Sequence, residues 1–301
     1  EQITAVLNFL CCDLGVEPKS IEKCPSILYY GVENIRDNYE FLQKSGFDVL
    51  KLHDALHILS CDPEQVRETY DYVSKKYGSR VIQKVSTILR IPVEVIKSVE
   101  EISNGRLSGR GVVSVASTVS LLNWTDTGIR KYDSADLKRI MDICDKYGIY
   151  YSEGGSLFRR TSDELEKIIN VCGEYRINYK NSDILFKNTA SEIEEIVKVC
   201  QELGINYHDG GVIFLRTPEE IREIVNTCSE LGIKYQDGGV VFLRSADEIR
   251  DLAKVCQECG INYRVGTGIF INTADEIRKI VNVCKKYDIE YRSGGTIFKR
   301  S

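Results

Sequence analysis

The chain has 301 residues and 34.2 kDa, with 43% hydrophobic and 28% charged side chains, which is the make-up of a folded protein with a large core and excludes a disordered tail or a collagen. No apolar run approaches the roughly 18 to 20 residues that span a bilayer, so no membrane partner is expected. The net charge is −5, and a split at residue 133 gives 16 basic and 18 acidic residues before it and 24 and 27 after it; neither part is a basic arm, although a local stripe fits inside that balance.

Along the chain, the segment CPSILYYGVENI (Cys24 to Ile35) introduces a helix that ends in Ser45-Gly46-Phe47. It aligns without gaps to GGVIFLRTPEEI (Gly210 to Ile221), with Leu28 over Phe214, Ile35 over Ile221 and Gly46 over Gly232. ALHILSCDPEQV (Ala55 to Val66) fits the same frame with Pro63 over Pro218, and VSTILRIPVEVI follows more loosely. The spacing here is about 31 residues and leaves room for a short second helix such as KLHDALHIL. Residues 103–133 fit worst. SNGRLSGRGVVSVAST is rich in Gly and Ser, lacks a cap, and reads as a divergent repeat or a joint.

From residue 134 to 301 the period is 28 and does not slip. Cys144, Cys172, Cys200, Cys228, Cys256 and Cys284 mark it, with a tyrosine column from Tyr151 to Tyr291 and a phenylalanine column from Phe158 to Phe298. Each unit opens on a capping box: Thr161, Thr189, Thr217, Ser245 and Thr273 precede by three residues Glu164, Glu192, Glu220, Glu248 and Glu276. Ile221, Ile224, Val225, Cys228 and Leu231 then form one apolar stripe, which Gly232 closes. The remainder of the unit, IKYQDGGVVFLR, suits a β-hairpin or a single helical or extended turn. The expected fold is therefore all-α, a superhelical solenoid of 28–31-residue repeats with short hairpins allowed in the C-terminal copies. Its parts are residues 1–102, a joint at 103–133, and six repeats at 134–301.

Ile21, Pro25 and Leu28 form I-x-x-x-P-x-x-L ahead of the helix that ends at Ser-Gly-Phe. This resembles the mitochondrial transcription termination factor family over residues 4–102, and reaches 134–301 only through the internal alignment. The resemblance implies paired helices around the proline motif and double-stranded DNA or RNA in a superhelical groove. The 28-residue units, the Gly-Gly in place of proline and the acidic total depart from that family, so function transfers only by analogy.

Chemistry-bearing motifs are few. His53 and His57 lie at i, i+4, but Asp54 stands where a metalloprotease has Glu, and no third ligand is evident. Cys256 and Cys259 form a single CxxC, of which Cys256 is already the repeated core cysteine. Eleven cysteines in a long chain read as reduced thiols of a cytoplasmic or other reducing compartment. With three histidines and no nucleophile triad, phosphate loop or dinucleotide motif, no enzyme, metal or cofactor is expected.

Two rows remain. Arg160, Asn188, Arg216, Arg244, Asn272 and Arg300 precede the caps, with Lys187 and Lys299 one residue earlier in their repeats. In a solenoid they form a ladder suited to a phosphate backbone, or else a solvated edge paired with nearby acids. Ser152, Lys180, His208, Gln236, Arg264 and Arg292 follow the tyrosines and vary, as residues reading one base each would, or as an unconstrained loop would. The acidic first helical turns disfavour phosphate at the helix N-termini. The sequence thus points to a monomeric, non-enzymatic binder of double-stranded DNA or RNA, with a protein-interaction scaffold as the alternative.

Overall fold

A computed structural model describes residues 2–52, 54–123, 134–264, 267–294 and 296–298. Among them every regular element is helical and no strand forms. No described helix is long and apolar enough to cross a membrane.

The chain divides into two compact units, residues 1–146 with 150–161, and 147–149 with 162–301. Apart from residues 147–149, the division falls at the end of the first of the six 28-residue copies, between 161 and 162. Unit 1 carries α1 (Gln2–Asn8), α2 (Pro18–Glu22), α3 (Val32–Lys44), α4 (Ala55–Leu59), α5 (Pro63–Tyr77), α6 (Ser79–Lys84), α7 (Val93–Ser103), α8 (Gly109–Asn123) and α9 (Ser134–Tyr147). Unit 2 carries α10 (Ser162–Glu174), α11 (Ala190–Leu203), α12 (Pro218–Leu231), α13 (Ala246–Cys259) and α14 (Ala274–Lys286).

The internal alignment holds at the level of structure. Pro25–Tyr29 and Val212–Leu215 are both 3-10 turns, and each leads into a helix, α3 or α12. Ile27 and Ile213, Ile35 and Ile221, and Leu42 and Cys228 are matched pairs in the core, each fully buried. The short helix expected in KLHDALHIL is α4, preceded by a 3-10 turn at Val49–Lys51. Of the stretch 103–133, read as a divergent repeat or a joint, Gly109–Asn123 form helix α8, and residues 124–133 lie outside the described residues. A Cβ on Gly109 would lie 2.5 Å from the Tyr77 ring, and one on Gly111 would lie 2.1 Å from the Ser152 carbonyl oxygen. Those small residues let α8 pack closely rather than break.

In unit 2 the hairpin alternative is excluded: the Gly-Gly segments enter 3-10 turns at Val212–Leu215 and Val240–Leu243. Capping boxes form at Thr189, Thr217, Ser245 and Thr273, each worth about 1 kcal/mol to its helix. Helices α10 to α14 pack each on the next, and so do the 3-10 turns from Val212 onward. The cysteine column lies inside these helix contacts, where burial pushes Cys172, Cys200 and Cys256 up to about 12 and Cys228 up to about 11. These are small apolar packing groups rather than reactive thiols.

Candidate nucleic-acid interface

Between one helix and the next 3-10 turn, a loop repeats the same bonds. Gly232 turns α12 into the left-handed region, φ 67°, and the next amide, Ile233 N–H, donates back to the Cys228 carbonyl at 2.8 Å. Gly204 with Ile205 and Gly260 with Ile261 repeat this closure. The following residue joins neighbouring repeats through backbone: Asn178 N–H donates to His208 O at 2.7 Å, Asn206 N–H to Gln236 O at 2.8 Å, and Asn262 N–H to Arg292 O at 2.8 Å. The Asn side chain holds the same loop from within, as Asn206 Oδ1 accepts from His208 N–H. Glycine is required two residues on, because a Cβ on Gly238 (φ 66°) would sit 2.0 Å from the Asn206 carbonyl oxygen.

At His208, Gln236 and Arg292 the variable row is rooted in backbone bonded to a neighbouring repeat. Lys180, His208, Gln236, Arg264 and Arg292 are all exposed, and Ser152 in unit 1 is half-buried. None of the six is acidic. Four of the preceding tyrosines, Tyr151, Tyr207, Tyr263 and Tyr291, are buried and so closed to base stacking, and the Tyr207 and Tyr263 hydroxyls accept from Gln201 and Gln257 at 3.0 Å; Tyr179 and Tyr235 are half-buried.

The arginine row takes a different position from a phosphate track. Arg216 Nε donates to Phe242 O at 2.8 Å, while Arg244 donates through Nε to Phe270 O at 2.9 Å and through Nη2 to Ile271 O at 2.8 Å. Both also meet the capping glutamates Glu220 and Glu248, at 3.5 and 3.4 Å, and both side chains are under a fifth exposed. Asn188 and Asn272 make the equivalent bonds to Phe214 O and Phe298 O. The row is a set of staples, each fastening its own repeat to the 3-10 turn of the next. Arg160 is half-buried and itself bonded, and Lys187 is exposed at the end of its turn. Lys299 and Arg300 lie outside the described residues.

His57 is held below its ordinary pKa by burial and then by the Arg90 charge, and His53 lies outside the described residues. No metal-capable group of three or more His, Cys, Asp or Glu occurs among the described residues. Burial pushes the Cys61 thiol up to about 11, so this cysteine beside His57 is not a poised nucleophile. A cleft of about 630 Å³ in unit 1 is lined by Glu101, Arg106, Lys138 and Asp142, and Arg106 there is tied to Asp142 at 2.7 Å.

Sequence reasoning missed one group. Lys75, Arg80 and Lys84 are exposed cations of unit 1 with no acidic partner among the described residues. The signal was the acid-free stretch 72–93, which the near-neutral total of that part concealed.

No family model matches the chain, and neither does any curated protein or solved structure.

Proposed function

We propose that the chain is a non-enzymatic nucleic-acid-binding repeat protein, with unit 2 a solenoid of 28-residue repeats that holds double-stranded DNA along its loop edge. One observation carries this reading. In an acidic chain, the described positions of the variable row carry cations or neutral donors, exposed at every position but Ser152, and His208, Gln236 and Arg292 are pinned by backbone bonds between repeats. Charge and donors at a regular interval suit a polymer of regular anionic spacing.

Packing supports the placement of the row. Helices packed side by side lie about 8–10 Å apart, whereas backbones joined by an N–H···O bond approach to about 5 Å. Within unit 2 the loop edge is then the shorter one, and the stack curves with the row on its inner side. The proline motif of unit 1, by its resemblance to the transcription termination factor family, points the same way.

The test is fluorescence anisotropy of labelled duplex DNA, single strand and RNA, comparing wild type with Lys180→Ala/Arg264→Ala/Arg292→Ala. These side chains form no hydrogen bond or ion pair among the described residues, so the fold should be unchanged while duplex affinity falls at least tenfold. A wild type that binds no nucleic acid at low salt overturns the reading. A second reading, a protein-interaction scaffold, rests on Leu215 and Leu243, which are 43% and 38% exposed on neighbouring 3-10 turns. It predicts that substituting those leucines leaves nucleic-acid binding unchanged and abolishes capture of a protein partner.

A further inference from the structure

Arg216 and Arg244 are fastened to carbonyls, so cations able to meet phosphate beyond those of the variable row are to be sought elsewhere. Residues 72–93 carry Lys75, Lys76, Arg80, Lys84 and Arg90 and no acid, and no other acid-free stretch of the chain holds more than four cations. The structure sorts these five. Arg90 is held by Asp54 at 3.3 Å and is largely covered. Lys76 is held by Glu100, whose carboxylate also accepts from the Tyr72 and Tyr77 hydroxyls. Burial alone would raise the Glu100 pKa, but those three hydrogen bonds outweigh it and hold the carboxyl ionised. That carboxylate is thereby saturated.

Lys75, Arg80 and Lys84 remain. All are exposed, and none bonds to an acid among the described residues. Arg80 and Lys84 share one face of α6 at i, i+4, opposite the fully buried Ile82. Lys75 lies in the last turn of α5, just before Gly78 (φ 85°) turns the chain into α6, so the three sit around one corner of the fold. Lys97 adds a fourth free charge near it, 5.5 Å above the Tyr72 ring.

We infer that this α5–α6 corner is a second binding surface, which grips the phosphodiester backbone of nucleic acid without reading bases. Flexible, unpaired lysines and one arginine make point contacts to phosphate, and each neutralised phosphate releases counterions. An anionic membrane is the weaker occupant: no large hydrophobic side chain of residues 72–100 is exposed, so nothing would insert beside the charges. The inference rests on the nucleic-acid reading but uses neither the row nor unit 2.

The test measures duplex affinity against salt for wild type, for Lys75→Gln/Arg80→Gln/Lys84→Gln, and for the charge-matched control Lys19→Gln/Lys23→Gln/Lys44→Gln. Three lost phosphate contacts should lower the slope of log K against log salt by about 3 and weaken binding about 100-fold or more near 0.1 M salt, equally for duplexes of any sequence. The control should keep the slope. Arg80→Gln alone should lower it by about 1, which keeps the test decisive if the triple variant folds poorly. Equal effects of patch and control variants would overturn the inference as mere bulk charge. Binding that is lost in the Lys180/Arg264/Arg292 variant but unchanged in the patch variant would overturn the patch and leave the row standing. The reverse result supports the patch and removes the row, and a wild type that binds no duplex at low salt overturns both.

Discussion

Replacing Arg244 by Ala distinguishes a fastening arginine from a ligand-binding one. Its guanidinium donates two hydrogen bonds of 2.8–2.9 Å to carbonyls of the next repeat, and pairs at 3.4 Å with Glu248, which is half exposed. A hydrogen bond from a charged donor contributes about 1.5–3 kcal/mol, and a pair with an exposed carboxylate about 0–1 kcal/mol. The two carbonyl bonds share one side chain and do not add fully, so Arg244→Ala should cost about 3 kcal/mol. Arg216→Ala removes a single carbonyl bond and should cost about 2 kcal/mol. Arg244→Lys keeps the charge but loses the planar fork, and should recover less than half. Repeat stacks open locally, so native-state hydrogen exchange is the appropriate assay. Protection should fall in α13 and in the Thr267–Ile271 turn, and remain in α11. If Arg244→Ala left stability within about 0.5 kcal/mol of wild type and weakened duplex binding tenfold, the staple account would be wrong and the row would face a ligand.

Other outcomes follow from the same contacts. Gly238→Ala places a methyl 2.0 Å from Asn206 O in addition to the left-handed backbone penalty, whereas Gly260→Ala meets nothing within 4 Å; urea melts should show about 1 kcal/mol for Gly260→Ala and at least 2 kcal/mol more for Gly238→Ala, and equal costs would refute the close approach. A thiol reagent on the native protein at pH 8 should label Cys12 first and leave Cys144, Cys172, Cys200, Cys228, Cys256 and Cys284 unreacted until denaturant is added; prompt labelling of that column would show it is not buried. The Ser245 amide holds Glu248 below its ordinary pKa, so its contribution is complete above the unfolded value of about 4.3 and lost as pH falls through the lower folded value. The stability gap between wild type and Glu248→Gln should therefore be constant from pH 7 to about 5 and close below about 4; a gap unchanged at pH 3 would remove the carboxylate from the cap.

Much of unit 2 is legible from sequence because its determinants are local and repeated. A cap at Thr217, a stripe through Cys228 and a stop at Gly232 each act within one helix, so the 28-residue period exposes them. The 3-10 turns are harder to read. Gly210 and Gly238 look like hairpin glycines, yet their freedom serves the approach of a neighbouring backbone, a contact 28 to 32 residues away. The same holds for Gly111 in α8, where a loop-like composition serves helix packing.

The arginine row shows why charge alone misleads. Two of its described positions hold Asn188 and Asn272, which carry no charge yet make the same bond to the next repeat's carbonyl as Arg216 and Arg244. What the row conserves through its internal copies is reach and a donor, the chemistry of a staple, whereas a phosphate track would need the charge itself. Unit 1 supplies the same carbonyls by another route: Asn38 donates to Leu59 O and Gln65 to Leu89 O from within their helices, and Leu59 and Leu89 align with Phe214. The acceptor is thus the fixed element of the repeat and the donor is free to move along it. On the proposed reading, the Lys75–Lys84 corner and the Lys180–Arg292 row are where substitution should change binding without changing the fold.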